Sequence, residues 1–114
     1  MYESFDIVIV PFPFVDCTDQ IKRRPAMILS SLKNFNAKSG HSVMVMITSA
    51  RNQPWSLDVA ISDYESSGLL NASVLRMKIF TLDNRLILGK IGKLAPKDQQ
   101  VFLKTVKTLF PNFF

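Results

Sequence analysis

The apolar residues of this chain come in short runs, and a turn signal stops each run before it can complete a helix. Ile7-Val8-Ile9-Val10 is β-branched throughout and is halted by Pro11-Phe12-Pro13-Phe14. Ala26-Met27-Ile28-Leu29 follows a charged loop, and Val43-Met44-Val45-Met46-Ile47 follows Gly40. The stretch 57–61 reads as a fourth strand. Stretches 74–82 and 86–91 complete the set, with Asp83-Asn84 as the turn between them. Apolar runs of about four to eight residues bounded by Gly, Pro, Asn or Asp read as strands, because branched and aromatic side chains fit a pleated, half-buried surface. Such a series in a chain of 114 residues predicts a small, mostly antiparallel barrel or sandwich.

One segment breaks this rhythm. Val101, Phe102, Val106, Leu109 and Phe110 fall on one face at helical spacing. Pro96 suits the first helical position, where its missing N–H would have no partner anyway, and Pro111 ends the pattern. Lys97, Lys104 and Lys107 then form the polar side of a packed C-terminal helix.

A chain of this length is expected to be one domain, 1–114. With 47% hydrophobic residues it can build a core without staples. Cys17 is the only cysteine, so no internal disulfide is possible. Cys17 and the single histidine, His41, cannot by themselves supply a four-ligand zinc site. No metal or cofactor is expected. The start Met1-Tyr2-Glu3-Ser4 lacks the basic region of a signal peptide. The apolar stretch 7–15 is broken by Pro11 and Pro13 and is too short to span a bilayer. A cytoplasmic protein with no membrane association is the expectation.

The net charge of +5 is unevenly spread. Residues 1–20 carry Glu3, Asp6, Asp16 and Asp19 and no Lys or Arg, whereas residues 76–107 carry eight bases against Asp83 and Asp98. A clustered base excess favours a polyanionic partner, because neutralising phosphates releases counterions. The competing reading is a solvated surface tuned for solubility.

Several catalytic kits are missing. There is no Gly-rich phosphate loop, no histidine pair and no Ser-His-Asp set. His41 beside Gly40 reads as a surface residue, and Cys17 in its polar loop as chemically incidental. What is present is sparser. Lys22-Arg23-Arg24-Pro25 leads straight into a strand, and Pro25 pushes Arg24 towards an extended conformation. A guanidinium on so stiff a mount makes a good phosphate clamp, since it is planar, permanently charged and bidentate. An ordinary basic loop is the other reading. Ile47-Thr48-Ser49 places hydroxyls where a strand leaves the core, which is also common for structural reasons. RNA makes such a kit sufficient, because its own 2′-OH can attack the adjacent phosphorus and the protein need only position the chain and stabilise charge. DNA lacks that nucleophile.

Taken in order, these segments resemble the PemK/MazF family of toxin endoribonucleases. Asp6-Ile7-Val8 with Pro11-Phe12-Pro13-Phe14-Val15-Asp16 resembles the family's first strand and loop. The segment from Lys22 to Ser30 resembles its Arg-Pro strand, and Met46-Ile47-Thr48-Ser49 its Thr-Ser strand end. Gly68-Leu69-Leu70 with Ser73-Val74-Leu75-Arg76 resembles a Gly-Leu…Ser-Val-x-Arg segment. Ile79-Phe80-Thr81-Leu82-Asp83 and Lys90-Ile91-Gly92-Lys93-Leu94 are similar to its closing strands. The resemblance is collinear over about the whole chain.

The resemblance implies an SH3-like barrel of the CcdB/PemK/MazF type with a C-terminal helix, and a homodimer. It implies a type II toxin that cleaves single-stranded RNA at a short sequence without metal and is restrained by a cognate antitoxin. The family's catalytic Arg falls on Arg24 and its catalytic Thr on Thr48. Arg76 and Lys78 match a groove-lining strand, and their alternation with Leu75, Met77 and Ile79 points both to one face. Ser49, Arg51 and Arg23 are further RNA-contact candidates, and Asp16 and Asp19 are candidate general bases. The groove is expected to attract an acidic antitoxin segment that competes with RNA. Phe110, Phe113 and Phe114 need cover, either from their own barrel or from a dimer partner. The chain departs from the family pattern at Phe5, where Gly is usual, and at Ala95, where Ser or Thr usually caps the last helix. The loop from Cys17 to Lys22 also lacks the usual glycines. The rival readings are a CcdB-like toxin that inhibits DNA gyrase by protein contact, and an RNA-binding barrel without activity.

Overall fold

The computed structural model describes residues 1–12 and 22–114. The described strands are β1 (Asp6–Phe12), β2 (Lys22–Ile28), β3 (His41–Ser49), β4 (Val59–Ala60), β5 (Ser73–Asp83) and β6 (Gly89–Lys93). They form one antiparallel sheet in the order β4-β5-β3-β2-β1-β6. A π-helical turn, Leu32–Asn36, runs into a short α1 (Ala37–Ser39), and α2 (Pro96–Leu109) closes the chain.

The unbroken apolar runs have a physical cause, because the central strands are covered on both sides. Ile7, Met27, Val45 and Ile47 join Leu75, Leu94 and Phe102 in one cluster, while Val8, Val10, Ala26, Ile28 and Met44 join Leu82 in another. Strand side chains alternate between faces, so successive residues of β1 to β3 feed the two clusters in turn.

The sheet curls until the segment after β4 meets β6 at the opposite edge. A Cβ on Gly68 would lie 2.0 Å from Ile91 O, and one on Gly92 would lie 2.1 Å from Ser67 O. Only glycine permits that approach, and Gly68 also sits at φ 85°.

Helix α2 begins at Pro96 as its sequence implies. The Asp98 carboxylate ties its first turn to the barrel by accepting from Ser62 N, Ser62 Oγ and Asp63 N at 2.7–3.2 Å. The buried stripe is narrower than the apolar spacing suggested. Phe102 is buried and Val106 packs on the core, but Val101 is half exposed. Of the two covers considered for the C-terminal phenylalanines, their own barrel does not cover the last two: Phe113 is 80% and Phe114 75% exposed, while Phe110 is 38% exposed.

Two boundaries also differ, and one element is new. The 57–61 strand shrinks to Val59–Ala60, because Leu57 adopts φ 66° within a turn. The 86–91 strand shifts to Gly89–Lys93, because the Asp83 side chain accepts from Arg85 N and starts a 3-10 turn over Asn84–Leu86. The helical turn after Ser31, capped by the Ser31 side chain, had no counterpart among the expected elements.

Both described family departures leave a visible trace. Phe5 takes φ 72°, the left-handed conformation that glycine would adopt freely. It is held there at both ends, its N–H donating to Ile28 O and its carbonyl accepting from Leu94 N. Ala95 is the N-cap of α2 and offers no side-chain hydrogen bond.

Candidate active site

Register assembles the site. Across β1 and β2, Val10 faces Arg24; across β2 and β3, Ala26 faces Met46; across β3 and β5, Met46 faces Arg76. Directly paired residues of antiparallel strands share a face. Continuing the Ala26–Met46 register outward brings Arg24 level with Thr48 on that face. Phe12, Met46 and Arg76 lie there too, by alternation along their strands. Arg23, exposed and paired with Pro11, is turned to the other face.

These side chains line a cavity of about 210 Å³, formed by Phe12, Arg24, Met46, Ile47, Thr48, Asn52, Arg76 and Lys78. Arg24 and Thr48 also line a larger, more apolar cavity of about 460 Å³ with Ser49, Leu69, Leu70 and Ile91. The two groups therefore stand on the ridge between a basic pocket and an apolar one. Arg51 is exposed on the turn after β3 and lines neither cavity.

The Arg24 guanidinium lies 5.9 Å over the Phe12 ring. Its Nε is buried and, among the described residues, has no hydrogen-bond partner. A buried charged donor without an acceptor is costly, and an anion arriving in the pocket would supply one. Arg24 sits next to Pro25, which pairs with Ile9, and that keeps the backbone beneath it extended.

Thr48 is half-buried, and its Oγ1 accepts from Asn52 Nδ2 at 2.5 Å. With a lone pair of the hydroxyl engaged, its proton is free to point at another acceptor. The turn that carries Asn52 is closed by Asn52 N donating to Ser49 O at 3.1 Å and Arg51 N donating to Ser49 Oγ at 3.2 Å.

Arg76 and Lys78 do share a face, but they differ in what they touch. Arg76 is buried and donates to both Asp58 oxygens, at 3.2 and 3.0 Å, and to Gln53 O at 2.8 Å. Burial alone would push the Asp58 carboxyl up. The Arg76 hydrogen bond, the Trp55 N–H and the Arg76 charge overcome it and hold Asp58 below the usual carboxylate value. Lys78 is exposed and lies 4.9 Å over the Trp55 ring; Arg76 lies 5.1 Å over the same ring. The β3–β5 register shifts between Val45 and Met46, whose partners are Ile79 and Arg76. That bulge leaves Met77 and Lys78 out of the pairing and re-aims the strand beside the pocket.

Sequence reading missed Asn52, Trp55, Asp58 and Phe12 as parts of this region. The one available signal was a lone tryptophan in the polar stretch Asn52-Gln53-Pro54-Trp55-Ser56. Asp16, Asp19 and Cys17 lie outside the described residues. Among the described residues, no group of three or more His, Cys, Asp or Glu side chains could hold a metal ion, and no helix is long and apolar enough to cross a membrane.

A family model described as PemK-like, MazF-like toxin of type II toxin-antitoxin system matches residues 3–110. No curated protein sequence matches significantly. Among solved structures, the MazE–MazF complex of Deinococcus radiodurans is similar with a TM-score of 0.77 at 19% identity, covering 97% of this chain and 96% of that one. An endoribonuclease in complex with its cognate antitoxin, from a mycobacterial species, gives 0.73 at 16% identity and covers 100% and 99%. The Mycobacterium tuberculosis toxin MazF-mt6 gives 0.71 at 19% identity, with 96% and 99% covered. At these identities the likeness is one of fold: a curled antiparallel sheet of SH3-like type with a C-terminal helix.

Proposed function

We propose that this chain, which belongs to the PemK-like, MazF-like family of type II toxin-antitoxin toxins, is a sequence-specific, metal-independent endoribonuclease acting on single-stranded RNA in the cytoplasm. The observation that carries this reading is that Arg24 and Thr48, level with each other on adjacent strands, line the same two cavities at the edge of a basic pocket.

The reaction is a transesterification. The ribose 2′-oxygen bonds to the adjacent phosphorus, the bond from phosphorus to the 5′-oxygen breaks, the 2′-OH loses its proton and the leaving oxygen gains one. Arg24 binds the scissile phosphate and neutralises the charge that builds on its oxygens. A guanidinium pKa above about 12 makes Arg24 a charge stabiliser rather than a proton donor near neutral pH. Thr48, its oxygen held by Asn52, donates a hydrogen bond to a phosphoryl oxygen. Preorganised donors of this kind act where charge develops in the transition state. Lys78 contacts phosphates, with Ser49, Arg51 and Arg23 as outlying contacts. Arg76 lines the pocket while its charge is shared with Asp58.

The assembly reading follows the same chemistry. A cognate antitoxin with an acidic segment would compete for the basic pocket, and solved relatives include a toxin bound to MazE and an endoribonuclease bound to its antitoxin. A homodimer is supported by the exposed Leu70, Phe113 and Phe114, which a partner subunit would cover.

Induced expression tests the reading against gyrase inhibition. Loss of messenger RNA should precede growth arrest, with plasmid supercoiling unchanged at that point. Arrest with intact transcripts and altered supercoiling would overturn it.

A further inference from the structure

We infer that Trp55 is a stacking platform for an unpaired nucleobase of the RNA next to the scissile phosphate; this rests on the ribonuclease reading above. Trp55 is the only tryptophan of the chain and is 46% exposed. A large aromatic ring so open to water contributes little to the core, yet this one is held in place by an elaborate mount. Arg76 donates to Gln53 O and to Asp58, and Asp58 in turn accepts from Trp55 N at 2.9 Å. The residues flanking the indole are thus tied to β5 by a buried ion pair whose side chains are 9% and 12% exposed.

The ring is also electrostatically prepared. Arg76 and Lys78, which line one cavity, stand 5.1 and 4.9 Å from the ring centroid. Both line the basic cavity beside Arg24 and Thr48. Pocket and ring therefore form one continuous surface, with cations for a phosphate and an indole for the adjacent base. Stacking on an aromatic ring tolerates any base and is a general device of single-strand recognition. Sequence preference at that position would come from neighbouring hydrogen bonds rather than from the ring.

The test uses the purified full chain and a long single-stranded RNA. Trp55→Leu should raise KM about ten-fold or more with a smaller change in kcat, because stacking is lost equally from bound substrate and transition state. Trp55→Phe should retain most of the affinity. A 2′-O-methyl oligonucleotide carrying the mapped cleavage site should quench Trp55 emission, and the same oligonucleotide with abasic residues flanking the scissile phosphate should not. Unchanged KM in Trp55→Leu, or Trp55→Phe as impaired as Trp55→Leu with an unchanged melting temperature, overturns the inference. So does a variant that cuts RNA normally but no longer captures the antitoxin, since the ring would then be a protein contact. Failure of the wild-type chain to cut any RNA is a separate outcome that removes the ribonuclease reading itself.

Discussion

Asn52 Nδ2 stands 2.5 Å from Thr48 Oγ1, and the amide is the donor. The contact occupies a lone pair of the Thr48 hydroxyl and leaves its proton for another acceptor, which in the proposed reaction is a phosphoryl oxygen. Thr48→Ala should lower cleavage on the order of 10²–10³-fold, the usual loss for one preorganised donor. Asn52→Asp should be more damaging than Asn52→Ala, because a carboxylate accepts only, takes the Thr48 proton and repels the phosphate. Single-turnover rates of the variants check this. Equal rates for the Asp and Ala variants would mean that the orientation of the hydroxyl does not matter.

Arg24 and Arg23 are neighbours in sequence on opposite faces of β2. Arg24→Ala should remove most activity, again on the order of 10²–10³-fold, while Arg23→Ala should leave the rate within about ten-fold of wild type. Arg24→Lys should recover little, since an ammonium lacks the bidentate fork. Rates on one RNA substrate, with circular dichroism to verify folding, measure the contrast. A larger loss at Arg23 would place the catalytic cation on the wrong side of the strand.

Asp58 and Arg76 predict a pH dependence. The Asp58 pKa is lowered in the folded state. Its contribution is therefore fully present above the unfolded value of about 3.9 and is lost as pH falls through the lower folded value. Trp55 emission should stay constant from neutral pH down to about 4 and change only below it. Asp58→Asn should shift that emission already at neutral pH. It should also destabilise the fold, because removing one member of a buried pair typically costs about 3–5 kcal/mol. An acid transition in Trp55 emission near pH 6 would assign the loop to some other group.

Ala95 at the start of α2 is a gap that can be filled. Ala95→Ser should raise stability by about 1 kcal/mol, because a hydroxyl would satisfy one of the first N–H groups of the helix. Urea unfolding measures the gain. An unchanged midpoint would mean that those N–H groups already have adequate solvent partners.

Much of this was legible in the sequence, for physical reasons that differ by element. Ile7-Val8-Ile9-Val10 read as a strand because β-branching favours extended backbone, and Pro96 marked the start of α2 because proline tolerates only the first turn. Arg24 and Thr48 became catalytic candidates through an ordered resemblance, and the β2–β3 register brings them level. The role of Arg76 was not legible, because its buried partner Asp58 lies eighteen residues away and only the fold brings the two together. Trp55 and Asn52 were hidden for a similar reason: both sit on irregular backbone, where no periodicity assigns a side chain to a face. Leu57 misled because its hydrophobicity suits a strand while its left-handed backbone ends one.

The central claim is that Arg24 and Thr48 promote attack by the 2′-OH of RNA without a metal. The most direct measurement is incubation of the purified chain with a long single-stranded RNA in excess EDTA, with mapping of every new end. Discrete cuts at a recurring short sequence should appear, each leaving a 2′,3′-cyclic phosphate and a 5′-OH, with the DNA of the same sequence untouched. A strict requirement for Mg²⁺, or equal cutting of DNA, would contradict the account.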